Sequence, residues 1–190
     1  NIMVALDTTE LRRDLMKRTA IVVALLPCLL ISAPLAAEPG DELAKEGKVL
    51  MKQFAGELKT SLKSAIKQGG LVNGVEACQL KAPDIASANS QGQWQISRTS
   101  LKPRNSDNQP SAKQALILKD FEQQLAAGKP ASELIYMSKA DDSFHMMKAI
   151  PTKGLCLSCH GQSLSEDVKK TLAEKYPNDK AVGYQEGQIR

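Results

Sequence analysis

Hydrophobic and polar positions follow two different periods along this chain, and the changes of period mark its elements. From Asp41 to Gln68, Leu50, Phe54, Leu58, Leu62 and Ile66 recur every four residues, with Leu43 and Met51 close to the same face. That spacing predicts one long amphipathic helix with a core-facing seam. Asp41 can cap it, Glu42 places favourable charge in its first turn, and Gly69 with Gly70 stops it. Residues 71–90 predict two shorter helices, because Pro83 should end the first and open the second. Cys78 falls on the first of these, on an apolar side with Val75. Over residues 92–100 the period drops to two, with Trp94, Ile96 and Arg98 alternating with polar neighbours, which predicts a strand. A loop dense in Pro, Asn, Asp and Ser follows. Ala115, Leu118, Phe121 and Leu125 then define a helix from about Ser111 to Ala127, ended by Gly128 and Pro130. Residues 132–150 predict a hairpin turning at "KADDS". A last helix spans about Ser165 to Lys175, capped by Ser163 or Ser165, and a turn-rich tail closes the chain. The order predicts an α+β domain on a small antiparallel sheet, with no internal repeat.

The chain of 190 residues has room for one ordinary domain. Its formal charge is +4 and only 4% of its residues are aromatic, with acidic and basic residues interspersed. A nucleic-acid surface would cluster Lys and Arg, so none is expected. Near the start, "MKRTAIVVALLPCLLISAPLAAEPGDE" has the layout of a secretory signal peptide. Lys17 and Arg18 form its positive region, Ile21 to Ile31 its apolar core, and cleavage is expected after Ala37. A translation start at Met16 fits this layout; the adjacent Arg12 and Arg13 offer a twin-arginine alternative. Pro27 and Pro34 interrupt the apolar run, so a cleaved leader (residues 1–37) is favoured over a membrane anchor. The remaining residues 38–190 would form one periplasmic domain, with no stable membrane insertion. Cys28 leaves with the leader, so three cysteines remain: Cys78, Cys156 and Cys159. An odd number of thiols is awkward in an oxidising compartment.

The stretch "LCLSCHG" (155–161) bears most on function. C-x-x-C-H is the attachment pattern of c-type haem. Two thiols must add to two vinyl groups on one porphyrin edge, and a helical turn puts Cys156 and Cys159 on one side. His160 then projects toward the iron as proximal ligand. A redox-active C-x-x-C is expected near a βαβ pattern, which is missing here. A zinc site needs further ligands, for which Cys78 and His145 are the candidates. A plain Cys156–Cys159 disulfide leaves the histidine without a purpose. One motif implies one covalent haem c.

A six-coordinate iron needs a second axial ligand. Cys78, His145, Met146, Met147, Met137 and Met51 are candidates. "FHMMKAIP" lies just before the motif, but strand alternation would place one of Met146 and Met147 in the core and turn the other outward. Cys78 is the thiol left over, and ligation would both use and protect it. A thiolate favours ferric iron, whereas methionine raises the potential. Arg98, Lys102 and Arg104 cluster where they could pair with the haem propionates, or could be solvated loop charges.

The patterns "ACQLKAP-DIA", "W-QISRTSLKPRN--N-P", "CLSCHG" and "YP-DKAVGYQEGQIR" together resemble a bacterial family of small exported monohaem proteins with a PAS-like fold. The likeness runs over roughly residues 45–190. It implies an antiparallel sheet flanked by helices, with haem c in the PAS-like pocket and His/Cys axial ligation. By position it implies His160 as proximal ligand, Cys78 as the thiolate, and Arg98 to Asn105 lining the pocket. Related sequences continue past "GQIR" into a further strand. The implied role is electron transfer with a partner redox protein, or redox or gas sensing, rather than catalysis. Two other readings stand beside it. One is a ligand-binding or interaction module stapled by a C-x-x-C disulfide or metal; the other is a haem peroxidase with an open sixth position and His145 as distal base.

Overall fold

A computed structural model describes residues 2–7, 39–140 and 143–190. The leader's apolar core, its cleavage site, Cys28 and the hairpin-turn residues Asp141 and Asp142 lie outside the described residues. The seam from Leu50 to Ile66 folds as the first arm of helix α1 (Pro39–Asn89). The chain turns at Gly69 (φ −149°, ψ 23°) and Gly70 (φ 73°, ψ −166°) and runs on as a second helical arm. The positive φ at Gly70 suits a residue without a Cβ. The arms lie antiparallel. Asn73 Nδ2 donates to the Ala65 carbonyl at 2.8 Å, and Asn89 Nδ2 donates to Glu57 Oε2 at 2.7 Å. Gly74 lets them close together, since a Cβ there would lie 2.8 Å from Ile66 Cγ1.

Pro83 does not divide the second arm as its sequence position predicts. The helix passes through it. Pro83 is exposed, and its ring leaves the Gln79 carbonyl without a helical donor. The second helical element expected over 71–90 is therefore the continuation of the first.

Strands β1 (Ile2–Asp7), β2 (Trp94–Arg98), β3 (Ile135–Ala140) and β4 (Ser143–Lys148) form one sheet in the order β2-β1-β4-β3. All pairs are antiparallel, with Ile2 opposite both Arg98 and Lys148, and Ile135 opposite Lys148. The sheet thus takes its second strand from upstream of the 38–190 span. Helix α2 (Ala112–Ala126) starts at a capping box in which Ser111 Oγ accepts from the Gln114 amide and Gln114 Oε1 accepts from the Ser111 amide. The motif forms helix α3 (Gly154–His160), and α4 (Glu166–Lys175) follows.

Both sheet faces are covered. On one, Met51 and Phe54 of α1 pack on Trp94, Ile96, Phe144 and Met146. On the other, Ile117, Leu118 and Phe121 of α2 pack on Leu134, Met147, Ala149 and Ile189. Met147 is therefore as buried as Met146, at 1% and 0% exposed, rather than turned outward. Alternation sends the two to opposite faces, and each face has its own helix. A third cluster joins Val75 on the second arm of α1 to Val168 and Leu172 of α4, with Cys159 packed against it. No described helix is long and apolar enough to cross a membrane.

Candidate functional site

Helix α3 sets Cys156 and Cys159 three residues apart on one turn and ends at His160. The Gly161 amide closes it by donating to the Leu157 carbonyl at 2.9 Å. A Cβ at Gly161 would lie 2.5 Å from that same oxygen, so the close approach requires glycine. The tail then fastens the motif. The Tyr184 amide donates to the His160 carbonyl at 2.9 Å, and the Gly183 amide to the Gly161 carbonyl at 3.0 Å. His160 Nδ1 lies 2.7 Å from the Ala181 carbonyl. A carbonyl only accepts, so Nδ1 carries the proton and Nε2 keeps its lone pair for a metal. Burial, then the charges of Arg104 and Arg190, push the imidazole pKa down to about 3, which keeps the ring neutral.

Cys78 sits on the second arm of α1, three residues after Val75, where that arm meets Cys159 and α4. Its thiol is raised by burial, while the guanidinium charges of Arg98, Arg104 and Arg190 favour the thiolate. Burial likewise raises Cys159; Arg104 opposes this, and Cys78 and Cys156 add to it. The three described cysteines are all free thiols. Arg98 is partly buried, and loss of solvation lowers its pKa, partly offset by Cys78 and Tyr176. Three guanidinium groups therefore bear on one thiol, while Asp179 engages Arg104.

Arg104 is held by the chain itself. Its Nε donates to Asp179 Oδ2 at 3.0 Å, and its Nη2 to the carbonyls of Cys159 at 2.6 Å and Ala181 at 3.1 Å. Lys102 Nζ donates to the Val182 carbonyl at 2.6 Å and lies 4.6 Å from the Tyr184 ring centre. That ring meets His160 edge to face at 6.3 Å. The other sixth-ligand candidates lie elsewhere. Met51 and Met146 share one apolar cluster and Met147 lies in the opposite one. Met137 is 48% exposed on β3, and His145 sits half-buried on β4 opposite Ala5 and Ser138.

Cys156, Cys159, His160 and Cys78 are residues that could hold a haem. Two free thiols and an imidazole with an available Nε2 occupy one turn, with a third thiol on the facing arm and positive charge around them. Among the described residues no three His, Cys, Asp or Glu side chains converge on a point that could hold a bare metal ion. Sequence reasoning missed the contribution of the tail: Tyr176, Asp179, Ala181, Tyr184 and Arg190 all act on the site. Asp179 within a tail of turn residues carries a weak side-chain signal, but the Ala181 acceptor is backbone and carries none.

The sequence model of the Tll0287-like family matches residues 36–190. No curated protein matches the chain. Among solved structures, the crystal structure of the cyanobacterial heme-protein Tll0287 is similar in fold. It has a TM-score of 0.54 and 22% identity over 81% of this chain and 92% of that one. The family match takes in the α1 hairpin, β2 to β4, the motif helix and the tail, and the chain belongs to the Tll0287-like family.

Proposed function

We propose that this chain binds one haem c in a PAS-like domain. Cys156 and Cys159 would supply the sulfurs that join the group to the chain, and His160 Nε2 and the Cys78 sulfur would bind its iron. The observation that supports the reading is a C-x-x-C-H turn whose histidine is protonated on Nδ1, with Cys159 near Cys78 and three arginines bearing on the same region. The family match and the similarity to a solved heme-protein support it. Arg98 and Arg190 supply positive charge for the propionates, while Arg104 holds the motif. Bound haem supplies a one-electron iron couple. The chain contributes a neutral imidazole of fixed tautomer and a thiol whose pKa burial raises, an effect that Arg98, Arg104 and Arg190 oppose. The role that follows is electron transfer with a protein partner, or redox or gas sensing, in a periplasmic protein; cleavage after Ala37 would remove β1 from the sheet.

The test compares ferric and ferrous spectra of the wild type and Cys78→Ser, both matured with covalent haem. Low-spin ferric wild type, with a changed spin state or a raised potential in the variant, is expected. Identical spectra would remove Cys78 from the iron. A high-spin wild type would favour an open site.

A further inference from the structure

The Ala181 carbonyl accepts two hydrogen bonds. His160 Nδ1 donates to it at 2.7 Å and Arg104 Nη2 at 3.1 Å. The same Nη2 donates to the Cys159 carbonyl at 2.6 Å, so one guanidinium bridges the motif helix to the tail. Asp179 closes the ring, with Oδ2 accepting from Arg104 Nε at 3.0 Å and Oδ1 accepting from the Ala181 amide at 2.7 Å. The two charged side chains are only 13% and 10% exposed, so water screens the network weakly.

The acceptor on the far nitrogen of a ligating histidine sets how strongly the near nitrogen donates. A carbonyl that already accepts from a guanidinium has less electron density to offer Nδ1–H. The imidazole then stays closer to neutral and donates less to the metal. We infer that the Arg104–Asp179 pair is a positioning and tuning unit for His160, acting through the shared Ala181 carbonyl, and that it sets the balance between ferric and ferrous iron. This rests on the haem reading above. Arg104 favours ferrous iron both by weakening the Nδ1–H hydrogen bond and by its positive charge. Asp179 opposes both effects by neutralising the guanidinium.

The two partners therefore predict shifts of opposite sign. In the full chain with covalent haem, Arg104→Gln should lower the ferrous-to-ferric ratio at a fixed ambient potential about tenfold, or about 59 mV for one electron. Asp179→Asn should raise it by a similar factor. Loosening of the fold alone would move both variants the same way. Unmoved potentials, or shifts of one sign in both, would overturn the inference while leaving the haem reading intact. Should Arg104→Gln fail to retain haem, Asp179→Asn beside Arg104→Lys decides. The asparagine variant should still shift upward, and the lysine variant, which keeps the charge but loses the forked hydrogen bonds, should shift downward by less than about tenfold. A downward shift in Asp179→Asn overturns the inference on its own. Wild-type protein without a Soret band would overturn the haem reading and this inference together.

Discussion

His160 is held neutral by burial and by three arginines, and its one proton is fixed on the nitrogen that faces Ala181. Its folded pKa of about 3 lies below the ordinary histidine value of 6.5. Below pH 6.5 the unfolded chain takes up a proton that the folded chain refuses. The stability present above 6.5 is therefore lost as pH falls toward 3, at up to about 1.4 kcal/mol per pH unit. Denaturant unfolding of the haem-free protein at pH 7 and pH 5 should show this loss, and His160→Gln should lack its share; equal slopes would contradict it. Gly161→Ala would press a Cβ against the Leu157 carbonyl, and a cost of about 1–3 kcal/mol with reduced haem retention is expected. Cys156, Cys159 and His160 stood out in the sequence because C-x-x-C-H is an attachment pattern for c-type haem, and the structure sets them on one short helix. Arg104 was legible as a charge, but its task was not, since its carboxylate partner lies 75 residues away and its carbonyl partners are backbone.

At the scale of elements, the four-residue seam placed α1 correctly because Met51 and Phe54 are what its face buries. Phe54→Ala should cost about 3–5 kcal/mol, measured by denaturant midpoint, because the ring is 1% exposed among large neighbours. Pro83 misled the pattern. Proline predicts a break, yet the helix runs through Pro83 with its ring exposed. It still removes one helical hydrogen bond, so Pro83→Ala should raise stability, by up to about 3 kcal/mol. A loss of stability would show that the proline conformation is needed by the Cys78 arm. The strands β2, β3 and β4 were readable from alternation. The covering of both sheet faces was not, because adjacent Met146 and Met147 fit a one-sided strand as well as a two-sided one.

At the scale of the molecule, β1 lies between β2, which leads into the Arg98–Arg104 loop, and the β3–β4 hairpin. Residues 2–7 lie in the segment read as an export leader, and alternation did not mark them as a strand of the domain. Deleting residues 1–7 should speed amide exchange in Trp94–Arg98 relative to the full chain, because that strand loses its sheet partner. Unchanged exchange would mean that another segment fills the same place. The site is assembled from the α1 hairpin, the end of β2, the motif helix and the tail, and its central claim concerns one covalent bond pattern. The most direct test is the mass of the matured, denatured chain after acid extraction, read beside its absorption. The account predicts one porphyrin's added mass with a Soret band. A chain weighing only its amino acids, with no visible absorption, would contradict it.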